Sequence, residues 1–458
     1  MMHRPATHPR PAPLIARVPL AALGLALLLP AAGCDEDEGE PNVLPESEAR
    51  VTYYEDVAPI LAERCQNCHS EGGIAPFATD DYEEAKAWGG AMAAAVRART
   101  MPPFAVDASG ECNEFRDAQW LEEEEIATIE AWVDGGFAMG DESAPRFEPP
   151  PLDVLDGEDI LMVSTPASYT PVPQAYAGGE YEDYQCFIVD EGADVDRFLV
   201  GFDVLPGNVQ TVHHVLVMEV DPDFVGNGAQ MERLDAESPD QIGWDCFGAA
   251  GEGVIPEGVP VAWAPGTGAV HYPDDTGIRI EAGHKLVMQM HYNLANDDGP
   301  DTTQVQLAMT DSVAREGEQT LVDPFLFSAV VGAPEQLEPG HESIEYEWAI
   351  PLAEATFDEV DDTQTVDVYG ILPHMHQRGT GMEVRFDIEQ EETCGAHVDR
   401  WDFNWQRMYF YEEPITMTYG DTVRVTCDFD TSADTKPVLP GFGTDDEMCL
   451  LGLYIVPR

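Results

Sequence analysis

Basic residues are scarce in this chain. Its 458 residues include 22 Lys and Arg against 87 Asp and Glu, for a formal net charge of −65 at pH 7. A surface that negative repels phosphates and anionic lipid headgroups, so nucleic acid is excluded as a partner. No run of acids has the spacing of an EF-hand loop, and the charge reads as a solvated acidic surface. No short-period repeat runs through the chain. Long apolar stretches are also lacking. One runs from Val18 to Leu29, and about a dozen residues is too short for a permanent membrane helix. No later stretch is long and apolar enough for a second membrane segment. What remains is length for about three domains of roughly 150 residues and an ordinary apolar fraction of 44%, enough to bury cores without help from metals.

The N-terminus reads as an address. Arg4, Arg10 and Arg17 precede the apolar stretch, the order of a secretory signal. The stretch runs into Ala31-Ala32-Gly33-Cys34, which resembles the bacterial lipoprotein box. That resemblance implies a lipidated Cys34 and an exported lipoprotein, periplasmic or on the cell surface of a bacterium, attached to the membrane through that cysteine. Ordinary cleavage would leave a lone thiol in an oxidising compartment, which favours the lipid. Residues 35–50 (DEDEGEPNVLPESEAR) read as an acidic linker.

Residues 51–138 are expected to form a small all-α unit. Val57, Ile60 and Leu61 share one face ahead of Cys65. Ala85–Arg99 is Ala-rich. Leu121, Ile126, Ile129, Trp132 and Val133 fall at helical spacing, and Gly135-Gly136 ends that run. Residues 139–155 are a Pro-rich linker. Beyond 156 the period shortens. Apolar, β-rich runs recur at Arg197–Val204, Thr211–Val220, Lys285–Tyr292, Val305–Met309, Thr365–Leu372, Met382–Ile388, Thr422–Cys427 and Leu450–Val456. This is the pattern of a sandwich or jelly roll. About 300 residues is too many for one, so two all-β domains are expected, 156–315 and 316–458.

Cys65-Gln66-Asn67-Cys68-His69 is a C-x-x-C-H motif. Two thiols three positions apart can attach one haem, and the adjacent His can ligate its iron. A thioredoxin-like pair would need a βαβ context, and a zinc site would need further Cys or His nearby; neither is present. Met101, in Thr100-Met101-Pro102-Pro103, is the candidate sixth ligand, held by a loop that proline stiffens. Met92 lies inside a helix and reads as packing. The stretch resembles a cytochrome c domain of the kind fused to larger exported oxidases. His and Met ligation leaves no open axial site and favours electron transfer.

Further along stand His213-His214, His291, His374-Met375-His376 and Met448. Imidazole suits Cu(II) and thioether suits Cu(I). H-x-H on a strand puts both rings on one face. Adjacent residues face opposite ways, so His213 and His214 can share a metal only at a twist, a bulge or a strand end. His271, His284, His341 and His397 read as ordinary hydrogen-bonded residues. The set together resembles the copper type II, ascorbate-dependent monooxygenases, of the dopamine β-monooxygenase and peptide-amidating type. There an H-H pair and a His in an HY strand bind one copper, while H-x-H and a Met in a DEMC segment bind the second. Ala262-Trp263-Ala264-Pro265-Gly266, Phe403-Asn404-Trp405-Gln406 and Tyr419-Gly420-Asp421 match as well.

The resemblance covers roughly 156–458. It implies two copper ions, with His213, His214 and His291 storing an electron and His374, His376 and Met448 forming the catalytic, O2-activating site. It also implies pairing of Cys427 with Cys449. Cys186 with Cys246 is a second expected bridge, and Cys112 and Cys394 are left either paired or free. The amidating branch clamps a substrate carboxylate with Arg, Asn and Tyr where this chain has Leu372, Leu450 and Gly452. That bidentate clamp is missing, so peptide amidation is not expected; an apolar or aromatic substrate suits a Leu-lined pocket better. The expected function is hydroxylation of a C–H bond of a small organic molecule with O2. Ascorbate, another one-electron reductant or a donor protein would supply electrons, and haem c would relay them. The alternative is a haem and copper electron-transfer or copper-handling lipoprotein. A degenerate copy should have lost a ligand, and all six are present.

Overall fold

The structure is a computed structural model. It describes residues 50–458 apart from 72, 74, 151–153, 156–158, 175–180, 239–241, 248–249, 266, 295–296, 333–334, 357–359, 404 and 442–445. The expected signal, Cys34 and all but the last residue of the acidic linker lie outside the described residues. Among the described residues, no helix is long and apolar enough to cross a membrane.

The chain opens with a helical region. A π-helical turn, Tyr53–Val57, runs into α1, Ala58–Arg64; α2 spans Tyr82–Arg97 and α3 spans Glu123–Asp134. Asp81 starts α2 by accepting the Glu84 N–H at 3.0 Å. At α3 the Glu125 side chain reaches back to the Glu122 N–H at 2.8 Å, and Gly135 ends the helix. Tyr53, Leu61, Ala85, Ile129 and Trp132 close a small core between them.

The stretch 104–118, which the sequence places in the helical unit, joins a different core. Phe104, Val106 and Phe115 are buried with the β residues that follow residue 320. Asp107 N–H donates to the His397 carbonyl and Arg116 N–H to the Phe410 carbonyl, each at 2.8 Å. Cys112 is bridged to Cys394, with Cα atoms 5.5 Å apart. The reason is local. Pro102-Pro103 end helical backbone, and the aromatic residues beyond them lack a helical period, so they are buried where an apolar face is open.

The rest is mostly β-sheet, with few helices, arranged as sandwich layers. Five strands pair in the order Trp244–Asp245, Glu182–Asp190, Lys285–Asn293, Val212–Val220 and Gly258–Trp263. Four more pair in the order Ile344–Pro351, Thr422–Phe429, Gly379–Ile388 and Glu391–Val398. Both sheets pack against one nine-stranded sheet through separate cores. Alternation sets the faces: Val423, Val425, Cys427 and Phe429 point into one core. Leu450–Pro457 is buried on both sides, with Leu451, Leu453 and Ile455 in one core and Tyr454 and Val456 in the other. That explains its unbroken apolar run. Position 316 lies within the strand Arg315–Val322. Arg315–Gly317 pair in parallel with Thr276–Ile278, and Glu318–Val322 pair antiparallel with Leu451–Ile455. Cys186 is bridged to Cys246 and Cys427 to Cys449; among the described residues, Cys65 and Cys68 are unbridged.

Candidate metal centres and the cavity beside them

His214 and His291 face each other directly across the pairing of Val212–Val220 with Lys285–Asn293. The register shifts between Val212 and His214. His213 is therefore the extra residue of a bulge, which lets neighbouring rings turn to one side. One ligand atom from each of His213, His214 and His291 lies within 4.8 Å of the others. The ring centroids of His213 and His214 stand 4.7 and 4.5 Å from that of His291. His213 Nδ1 is buried without a hydrogen-bond partner. Burial holds all three pKa values below the usual imidazole value, so the rings are neutral donors, the form a metal needs. His291 Nε2 is bonded to Glu182, which also accepts from Asn293 at 2.9 Å. Tyr184 stacks on His291 at 4.1 Å. This donor set fits a copper ion.

The second group forms where Thr365–His374 runs out of sheet. The His374 and His376 rings are 5.2 Å apart and near perpendicular, at 86°. Burial, then His376, pushes the His374 pKa down to about 3. His374 pairs with Leu450 in the antiparallel register, so continuing that register sets His376 beside Met448. Glu447 locks the arrangement. It is fully buried and accepts the backbone N–H of His376 at 2.8 Å, of Arg378 at 2.6 Å and of Met448 at 3.1 Å. Burial raises its pKa to about 7 against those three bonds. The His376 ring Nδ1 lies 3.1 Å from the Asp446 carbonyl, and the Cys427–Cys449 bridge anchors the residue after Met448. Two imidazoles, with a methionine two residues before the Leu450 that pairs with His374, offer a donor set that fits copper in both oxidation states.

Trp401, Phe403 and Gln406 touch the second group, and Trp405 touches the first. Trp401 Nε1 donates to the His376 carbonyl at 3.0 Å. Phe403 meets the His376 ring edge-on at 5.9 Å, Gln406 bonds His374 Nδ1, and Trp405 lies 5.6 Å from His213. The sequence flags this stretch only as matching text. Glu182 was not singled out, and Glu447 entered only as text of the DEMC segment, with no role; a carboxylate near a candidate His was the available signal. His284, set aside as ordinary, is hydrogen-bonded to buried Glu219 at 2.8 Å.

A cavity of about 710 Å³ opens beside the first group, within the roughly 300–1,000 Å³ of cofactor sites. Cys65, Cys68, His69 and Met101 line one side, and His213 and Trp405 line the other. Gln210 Nε2 donates to the Gly73 carbonyl at 2.6 Å and joins the two sides. His69 Nδ1–H donates to the Phe77 carbonyl at 3.1 Å, which leaves Nε2 as the free donor atom. Burial pushes the Cys65 thiol up to about 12 and the Cys68 thiol to about 11, the reverse of a reactive redox pair. Two unbridged thiols, an oriented imidazole and a thioether on one cavity fit a covalently held haem. Met92 belongs to the helical core, as its position implies, and also reaches the wall.

With this geometry in view, residues 335–456 match the C-terminal domain of the copper type II ascorbate-dependent monooxygenases. The relatives support that monooxygenase family. The chain is 25% identical over 266 residues to the DBH-like monooxygenase protein 2 of Mus musculus, covering 55% of this chain and 39% of that one. It is 20% identical over 262 residues to the dopamine beta-hydroxylase of Canis lupus familiaris, covering 56% and 39%. It is 23% identical over 286 residues to the peptidyl-glycine alpha-amidating monooxygenase A of Xenopus laevis, covering 60% and 26%. The chain thus spans less than half the length of these relatives. The major capsid protein P2 of bacteriophage PM2 aligns at 11% identity and a TM-score of 0.23, covering 65% of this chain and 97% of that one, and carries no argument.

Proposed function

We propose that the chain is an exported copper-dependent monooxygenase that hydroxylates a C–H bond of a small organic substrate with O2. Its electrons come from ascorbate or another one-electron donor, and haem c relays them. The observation that carries this reading is the pair of histidine groups, with Trp405 beside His213 and Gln406 bonded to His374. Bound copper would supply one-electron redox chemistry and oxygen activation. His374, His376 and Met448 would hold one ion, with Glu447 and Gln406 fixing their orientation. His213, His214 and His291 would hold the other, with Glu182 orienting His291. Leu372 and Leu450, next to the second group, offer apolar surface and no carboxylate clamp.

Haem c attached at Cys65 and Cys68, with His69 and Met101 as axial ligands, would supply a one-electron store. His213 lies on both the cavity wall and the first group, which supports a short path from one to the other. The disulfides Cys112–Cys394, Cys186–Cys246 and Cys427–Cys449 suit an oxidising, extracytoplasmic compartment. Anchoring through a lipidated Cys34 completes the proposal.

The test combines composition with turnover. The purified protein should hold two copper ions and one haem, and oxygen uptake should depend on one of a panel of small C–H donors. Haem with no copper, or copper with no substrate-dependent uptake, would favour the electron-transfer or copper-handling alternative. The relay is tested by stopped flow: haem reoxidation by O2 and substrate must stop when copper is removed.

A further inference from the structure

The cavity shared by the helical and β parts is lined by an arginine, Arg407, that has no ion-pair partner among the described residues. Haem carries two carboxylates, and burying a carboxylate costs several kcal/mol unless it is paired. The helical wall is apolar around Phe77, Trp88 and Ala95. Two arginines reach the cavity, Arg64 and Arg407. Arg64 is already engaged, 3.3 Å from Glu125 and 3.7 Å from Glu63. Arg407 sits between Trp405 and the strand Tyr409–Thr418, on the β side. Among the described residues it forms no ion pair, although the chain carries 87 acids. Its Nε makes one long bond, 3.5 Å, to the Met408 carbonyl. Its guanidinium carbon lies 5.9 Å from the Phe104 ring and 5.8 Å from the Tyr409 ring. Burial pulls its pKa below the usual guanidinium value, while Tyr409 and Asp117 oppose that pull from a distance.

We propose that Arg407 is the counter-charge for a carboxylate of the haem held by Cys65 and Cys68, so that the β part of the chain completes the haem site and sets its redox poise. The inference rests on the haem reading above. A guanidinium suits the task because its planar fork can grip a carboxylate with two parallel bonds. A cation beside the haem favours the ferrous state, which has one positive charge fewer at the iron. The same guanidinium also packs against Phe104 and Tyr409.

Full-length protein carrying R407Q or R407M, with R407K as the charge-keeping control, tests this. Covalent haem is counted by pyridine haemochrome, the haem potential by spectroelectrochemical titration and folding by thermal denaturation. R407Q and R407M are expected to keep their haem and move the ferric-to-ferrous ratio at a fixed poise about tenfold toward ferric, which is about 59 mV for one electron. R407K is expected to recover most of that shift. Equal losses of thermal stability in all variants, with the potential unmoved, would reduce Arg407 to a packing residue and overturn the proposal. If R407M does not fold, R407Q, which keeps a polar head, carries the same expectation. Absence of haem from the native protein would sink the haem reading and this inference with it. Native haem with an unchanged potential in R407Q would sink the inference alone.

Discussion

The two histidine groups are assembled by different means. The first is made by secondary structure. A bulge at His213 in one strand and a directly opposed His291 in the next bring three rings together, with Glu182 beside them on a third strand of the same sheet. The second is made at a strand end, where the sheet no longer fixes direction. Its order comes from one buried carboxylate, Glu447, holding three backbone N–H groups, and from the Cys427–Cys449 bridge. Sheet pairing makes a rigid cluster that changes little with a ligand. A clamped loop depends instead on a single carboxylate and a single disulfide.

That contrast predicts independence. His376→Ala should abolish substrate-dependent oxygen uptake and remove one of the two copper ions, while His213→Ala removes the other; metal analysis and EPR of each variant distinguish them. Loss of both ions from either variant would break the comparison. The next largest effect belongs to the bridge. Cys427→Ser with Cys449→Ser should lower stability by about 3 kcal/mol in the chain-entropy model, read by denaturant melts, and should weaken copper at the second group alone. Glu447→Gln leaves one acceptor oxygen for three buried N–H groups. A loss of about 1–3 kcal/mol is expected, with copper affinity at the second group falling about 10–100-fold. Glu182→Gln should cost the first group about tenfold in copper affinity by freeing the His291 ring, with thermal stability nearly unchanged. Equal damage at both groups from Glu182→Gln would show that the sheet does not insulate them.

Much of this was legible in the residues. The eight β-rich runs named from period and composition all fall on strands, each within a few residues of its ends, because a half-buried strand writes its faces into alternate positions. Leu450–Val456 was legible for the opposite reason, since burial on both sides removes the polar half of the pattern. Strands such as Glu182–Asp190 and Glu391–Val398 were missed: the first carries Glu, Asp and Gln inward, and the second is an edge strand with little apolar text. The helix Asn227–Glu237 was also missed, because its interior is largely polar and begins with Gly226 rather than a side-chain cap. The need for a bulge at His213-His214 followed from strand geometry alone, but which exception satisfied it did not.

The sequence by itself determined the inventory. It set the strands and helices, the ligand-type side chains and their order, the excess of acid and the C-x-x-C-H motif, because these depend on local period and on the chemistry of single residues. Only the tertiary structure decided the company each residue keeps. It paired Cys112 with Cys394 across 282 positions, drew Phe104 and Phe115 out of the helical unit, put Glu447 under the His376 loop and set Arg407 on the wall facing Cys65. Such partnerships arise from burial and long-range register, where the contacting residues lie far apart along the chain and no local pattern encodes their meeting.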